Sequence, residues 1–332
     1  MRARILLFWG AIGGRSPPAA DPGKPTTVQM FSSLPPLADL HRHLDGSLRL
    51  ETLTELAKQH RQVLPRDLMF RRGMGLDEAL ARFSVILSVL QQPAAVRRVA
   101  SEICEDAAKD GVTTLEIRFA PQLHRGAKPA AIVDAALEGI NRRAGLILCG
   151  LYGESPAVLT DLVELAATRT GVVGIDLAGG PTSGHQWQLA DYAAPFRRAR
   201  ELGIGRTVHA AEGRPAREIR DAIEQLHAQR IGHGTTLLDD PDVVDLVCQQ
   251  EITIEACPTS NVHTGVIAQV ADHPLPAWVE AGVRVCVCPD NTFLSDVTAS
   301  EEHQRVAAIP AMNGTILEQL IAWGHQGAFK RN

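Results

Sequence analysis

Aromatic side chains are scarce in this chain: eight phenylalanines, four tryptophans and two tyrosines make up 4% of its 332 residues. That is too few for the stacking platforms that hold single-stranded nucleic acid. Positive charge is not in excess either. The formal net charge is -5 at pH 7 and the isoelectric point is about 6.2, so no phosphate-neutralising face is built and nucleic acid is not an expected partner. No apolar run reaches the roughly 18–20 residues that span a bilayer, so no membrane association is expected either. The six cysteines, Cys104, Cys149, Cys248, Cys257, Cys286 and Cys288, are spread too widely for a disulfide framework. They read as buried thiols of a reducing compartment, and the expectation is a cytoplasmic protein. Cys286-Val287-Cys288 lies inside an apolar run and reads as two strand residues facing one side, not as a thiolate metal site. A phosphate loop is lacking, because Gly73-Met74-Gly75 has neither a preceding strand nor the full spacing. Cys257, followed by Pro258-Thr259-Ser260-Asn261, has no base beside it and reads as a strand-end core residue.

What is present is ordinary for a soluble globular enzyme: 45% hydrophobic and 21% charged residues. The length suits one large barrel, which takes about 250 residues plus insertions. The first 34 residues differ from the rest. Arg2 and Arg4 precede Ile5-Leu6-Leu7-Phe8-Trp9, and Gly, Ser and Pro follow. This segment reads as a disordered extension, or as a start assigned too early with Met30 as the true one; an export signal is the alternative.

From residue 35 on, short apolar runs alternate with stretches of helical period. Eight strands are expected: Ala38–Leu44, Thr113–Phe119, Leu146–Leu151, Val172–Leu177, Arg206–Ala210, Gln229–Gly232, Ile252–Cys257 and Val283–Cys288. They are apolar on both faces, as buried parallel strands are. Helices are expected over Leu50–Gln59, Leu76–Asp110, Pro129–Arg143, Ala157–Thr168, Leu189–Leu202, Ala216–Ala228 and Pro241–Gln249. Strict alternation of this kind predicts an α/β fold, a single (β/α)8 TIM-type barrel over residues 35–332. The helical insertion after the first strand is expected to cap the barrel mouth.

Active sites of such barrels gather at the carboxyl ends of the strands. The first run ends in His41-Arg42-His43-Leu44-Asp45-Gly46, the fourth in Asp176-Leu177-Ala178-Gly179, the fifth in His209-Ala210-Ala211-Glu212. The sixth ends in Gly232-His233-Gly234 and the eighth in Pro289-Asp290-Asn291. Strand side chains alternate with period two, so His41 and His43 face the same way. Alone, such a pair is equally well two half-buried histidines. With His209 and Asp290 it can complete a three-nitrogen, one-oxygen set around zinc, with a position left for water. Glu212, three residues past His209, is placed to give and take protons. His233 is placed to hold or deprotonate a water, or is a satisfied histidine in a tight Gly-His-Gly turn. His124, His185, His263 and His303 have no paired spacing and read as surface or loop residues.

These segments resemble the adenosine deaminase family of the amidohydrolase superfamily. The resemblance is carried by residues 34–47, by Glu116-Ile117-Arg118-Phe119-Ala120-Pro121, Asp176-Leu177-Ala178-Gly179, Thr207–Glu212, Arg230–Gly234 and Cys257-Pro258-Thr259-Ser260-Asn261, in family order over roughly residues 34–325. It implies one zinc ion per chain on His41, His43, His209 and Asp290. It implies Glu212 as proton donor to the purine N1, and His233 with Asp290 orienting and deprotonating the attacking water. It further implies Gly179 main chain at N3, Asp45 at the 5′ hydroxyl of the ribose, and a small-molecule purine nucleoside as partner. The expected reaction is hydrolysis of adenosine and 2′-deoxyadenosine to inosine and ammonia. Its alternatives are a deaminase of a related 6-aminopurine (adenine, AMP or a modified adenosine) and a silent nucleoside-binding barrel.

Several positions depart from the family pattern. Asn291 stands where a second aspartate is common, and its amide can donate to N7. Ala211 replaces a glycine, Pro289 a threonine, and Gly180-Pro181 stands where an acidic residue is common.

Overall fold

The computed structural model describes residues 34–182 and 184–330. The expectations for the N-terminal extension therefore lie outside the described residues. Eight parallel strands form one sheet in chain order: β1 Leu37–His43, β2 Val112–Phe119, β3 Gly145–Leu151, β4 Val172–Ala178, β5 Gly205–Ala210, β6 Arg230–His233, β7 Thr253–Ala256 and β8 Arg284–Val287. The two edges meet where Arg42 bridges Asp290 and the His43 amide donates to the Asp290 carbonyl at 2.9 Å. This makes the expected (β/α)8 barrel. The bond that ties its edges together joins two of the expected metal ligands.

Among the described residues twelve α-helices accompany the strands: α1 Leu50–Gln59, α2 Leu76–Val89, α3 Pro93–Lys109, α4 Pro129–Ile140, α5 Pro156–Ala167, α6 Ala193–Glu201, α7 Arg217–Leu226, α8 Pro241–Gln249, α9 Pro258–His263, α10 Leu275–Glu280, α11 Ala299–Ala307 and α12 Gly314–Gly327. Helices α3, α4, α5, α8 and α9 all begin with proline, whose fixed φ suits the first helical position and whose missing N–H is an orphan there anyway. The packing stripe expected in α7 is real: Ile219, Ala222, Ile223 and Leu226 are its buried residues.

Two expectations are corrected. The segment 76–110 is not one helix but two, α2 and α3, bent by 120° at the break. Pro93 cannot continue a helix from α2, so it starts a new one. Only α2 covers the mouth, whereas α3 packs on α4 and β2 in the outer layer. Second, α9, α10, α11 and α12 were not expected. Helices α9 and α10 are six residues each, too short to show a period. The last, α12, buries Leu317, Leu320, Ile321 and Gly324 and packs across β8 and β1, covering the place where the barrel edges meet.

Candidate active site

The strand ends named by the sequence converge on one point. One ligand atom each from His41, His43 and His209 lie within 4.8 Å of one another, and so do those of His41, His233 and Asp290. His43 Nε2 faces His209 Nε2 at 3.3 Å, and Asp290 Oδ1 is 3.7 Å from His41 Nε2 and 3.5 Å from His43 Nε2.

The orientation of these rings is set from behind. His41 Nδ1 donates to Glu255 Oε2 at 2.7 Å, which leaves the buried Nε2 with no hydrogen-bond partner. His209 Nδ1 lies 3.2 Å and 3.1 Å from the two oxygens of Asp176. A carboxylate on Nδ1 directs the lone pair of Nε2 toward the centre and makes it more basic. Arg118 then locks the two carboxylates together. Its Nη1 donates to Asp176 at 2.9 Å and its Nη2 to Glu255 at 2.7 Å. Glu255 also sits 2.7 Å from Arg230 Nε, and Arg230 Nη2 donates to Glu116 at 2.5 Å.

This arrangement fits a divalent metal. Burial pushes His41 and His43 well below the usual histidine range, with Arg118 and His209 respectively adding to it, so both rings are neutral. Nε2 lone pairs converging in a buried site repel unless a cation lies between them. The carboxylates of Glu255 and Asp176 stand behind two of the rings and Asp290 brings a carboxylate oxygen in front of them, a donor set that suits a dication. Asp176 stays ionised: burial opposes this, but His209 and Arg118 hold it well below the usual carboxylate range.

Beside this cluster lies a cavity of about 210 Å³. His43, Asp45, Gly179, His209, Glu212, His233, Asp290 and Asn291 line its polar side. Leu76, Ala79, Leu80, Phe83 and Leu87 of α2, at spacings of three and four, line the apolar side. The covering role expected of the insertion thus falls to α2. The Gly179 main chain, at φ +81°, faces the cavity with open space where a side chain would stand. Asn291 reaches the cavity only because residue 46 is glycine, since a Cβ there would lie 1.7 Å from Asn291 Oδ1. Asp45 is buried with Oδ1 unpaired, and burial lifts its carboxyl to about 6. It does not cap the following turn, whose Gly46 and Ser47 amides go to the carbonyls of His43 and Leu44.

Glu212 Oε1 accepts from Asn261 Nδ2 at 3.1 Å and from Thr264 Oγ1 at 3.0 Å. Burial would raise its carboxyl, but His233, His209 and Arg214 hold it below the usual value. Burial pushes His233 down to about 4, so it is neutral at pH 7. Ala211, His233 and Asp290 all take positive φ, at 55°, 67° and 62°, a strained backbone found where side chains are aimed at a site.

Some expectations are corrected here too. Cys257-Pro258-Thr259-Ser260-Asn261 is not merely a strand end. Pro258 opens α9, whose Ser260 bonds to Asp290 and whose Asn261 reaches Glu212 and His233. His124 and His303 are not surface residues: both are 1% exposed, and their Nδ1 atoms are satisfied by the carbonyls of Leu90 and Ala299. Cys286 and Cys288 do face one another, with sulfurs 3.6 Å apart, among apolar neighbours. Glu255 was missed, although an acid between Ile254 and Ala256 in an apolar strand signals a buried charge with a purpose.

The family model for adenosine deaminase matches residues 36–331. The chain belongs to the adenosine deaminase family. It is an enzyme, a hydrolytic deaminase. It is 34% identical over 313 residues to the adenosine deaminase of Enterococcus faecalis, covering 89% of this chain and 92% of that one. It is 35% identical over 318 residues to that of Vibrio atlanticus, covering 90% and 95%. Among solved structures, an adenine deaminase from Arthrobacter aurescens superimposes with a TM-score of 0.82 at 26% identity, over 90% of this chain and 95% of that one. The N6-mAMP deaminase of arabidopsis, at 23% identity and a TM-score of 0.80 over 90% and 94%, shares the fold.

Proposed function

We propose that this family member hydrolyses adenosine and 2′-deoxyadenosine to the inosine nucleosides and ammonia, using one zinc ion per chain. The observation that carries the choice of substrate is the charge of the cavity. Among its described lining residues there is no lysine or arginine, while the buried Asp45 carboxyl has an unpaired oxygen. A ribose hydroxyl can donate to that oxygen. A 5′-phosphate would find no cation and would meet a like charge, which is costly in a closed site. Free adenine would leave the acceptor unpaired, at about 1–3 kcal/mol.

His41, His43, His209 and Asp290 would hold the zinc, which when bound supplies a nucleophile at neutral pH by acidifying water. Glu212, ionised in the free site, takes up a proton when the purine binds and delivers it to N1, which makes C6 electrophilic. His233 orients the attacking water by donating from Nε2. Asp290 takes up the water's proton and passes it to the amino group, which leaves C6 as ammonia, and Glu212 receives the hydroxyl proton as the C6 carbonyl forms. The Gly179 main chain meets N3, the Asn291 amide donates to N7, and Asp45 accepts from the 5′ hydroxyl. The apolar face of α2 lies over the base. Five of the six cysteines are buried, which suits a reducing compartment, and we place the enzyme in the cytoplasm.

Specificity constants for adenosine, 2′-deoxyadenosine, adenine, AMP and N6-methyl-AMP, read from the loss of the purine absorbance, test this. Adenosine and 2′-deoxyadenosine are expected to lead. A larger constant for AMP or adenine overturns the assignment.

A further inference from the structure

Helix α9 is only six residues long, yet it carries a side chain that touches two groups of the site at once. Asn261 is completely buried. Its Nδ2 donates to Glu212 Oε1 at 3.1 Å and to His233 Nδ1, also at 3.1 Å. An amide nitrogen has two hydrogens, so both are used. Its Oδ1 is buried without a partner, so the amide is placed for what it donates.

Both contacts have consequences for protons. A neutral imidazole that accepts at Nδ1 carries its hydrogen on Nε2. For His233, Nε2 is then the nitrogen left to face the cluster it forms with His41 and Asp290. There it acts as a hydrogen-bond donor to a water and not as a fifth ligand. On Glu212 the same oxygen, Oε1, also accepts from Thr264 Oγ1 at 3.0 Å. Its two acceptor sites are filled, so a proton carried by Glu212 sits on Oε2.

We propose that Asn261 is a positioning residue that sets both proton positions of the site, Nε2 of His233 and Oε2 of Glu212, through one amide. The kinetic consequence rests on the deaminase reading above. The proton positions do not.

The test uses zinc-loaded protein with 15N-labelled histidine. The ring nitrogens of His233 are identified by comparison with His233→Gln, and their shifts and long-range couplings report which nitrogen bears the proton. The parent is expected to hold it on Nε2. In Asn261→Asp, read above the pH at which the new carboxyl and Glu212 share a proton, the carboxylate can only accept, so the imidazole proton is expected to move to Nδ1. With it, kcat for adenosine should fall about 100-fold or more, as wrong-tautomer variants of other hydrolases do. KM should change by less than about threefold, and the metal content should stay at that of the parent. Asn261→Ala should give a mixed tautomer population and an intermediate kcat. A parental spectrum with the proton on Nδ1 overturns the proposal whatever the variants do. So does an Asn261→Asp protein that keeps Nε2–H, or one that switches tautomer with unchanged kcat. A parent that deaminates no purine would overturn the assigned function instead, and the tautomer comparison would still decide the role of Asn261.

Discussion

Replacing Glu255 by glutamine keeps the shape of the side chain and removes its charge. Glu255 is fully buried in the middle of β7, far in sequence from the ligands it supports. Four groups converge on it: His41 Nδ1 at 2.7 Å, Arg118 Nη2 at 2.7 Å, Arg230 Nε at 2.7 Å and Thr207 Oγ1 at 3.0 Å. Two effects follow, and they are separable. Without the carboxylate behind Nδ1, the Nε2 of His41 is a weaker base, and loss of such an outer partner typically weakens metal binding by about 10–100-fold, or about 1.4–2.7 kcal/mol. The glutamine amide must also turn its NH₂ toward a guanidinium on at least one side. Arg118 keeps Asp176 and Arg230 keeps Glu116, so neither cation is stranded, and the folding loss should stay near the lower end of the about 3–5 kcal/mol seen when a buried ion pair is broken. Metal affinity is read by competition with a chromogenic chelator, and stability by denaturant unfolding of the metal-free protein. A variant that binds metal as tightly as the parent would refute the view that Glu255 tunes His41. Unchanged metal-free stability would refute the energetic role given to the ion network.

Elemental analysis of the purified enzyme should find about one zinc per chain, and His43→Ala or His209→Ala should lose it; a full equivalent retained in both variants would discard the ligand set. Glu212→Gln should keep the metal and the fold and lose about 10²–10⁴ in turnover, and near-parental turnover would mean that another group moves the proton. Burial holds Glu302 at about 7 against an ordinary 4.5, despite bonds from Thr259. A carboxyl raised in the folded state favours folding while it is protonated, so this contribution fades as pH rises from about 4.5 to about 7. Glu302→Gln should therefore cost more stability at pH 5 than at pH 8, and an equal cost at both would contradict that sign.

Much of the site could be read from the chain because local geometry dictates it. Period-two alternation puts His41 and His43 on one side of β1 with no knowledge of the rest of the fold. Short apolar runs alternating with helical periods leave few architectures other than a barrel, and a barrel sends the residues at its strand ends to one mouth. That is why His209, Glu212, His233 and Asp290 stand out as candidates in the sequence. Burial was harder to read. Nothing local separates the buried His124 and His303 from the half-buried His185, because burial is decided by which element packs over each residue.

The sequence by itself determined the barrel and its order of strands, the paired histidines, and which polar residues stand at the mouth. Only the tertiary structure decided how they work together, because the remaining contacts join positions that are remote along the chain. His43 meets His209 across 166 positions, Arg118 meets Glu255 across 137, and Asn261 meets Glu212 across 49. Those meetings depend on strand register, and on the positive-φ turns at Ala211, His233 and Asp290 that no residue type there announces. A lone glutamate in β7 and an asparagine in a six-residue helix acquire their roles only when the closed barrel brings the ends of β1, β5, β6 and β8 within a few ångströms of each other.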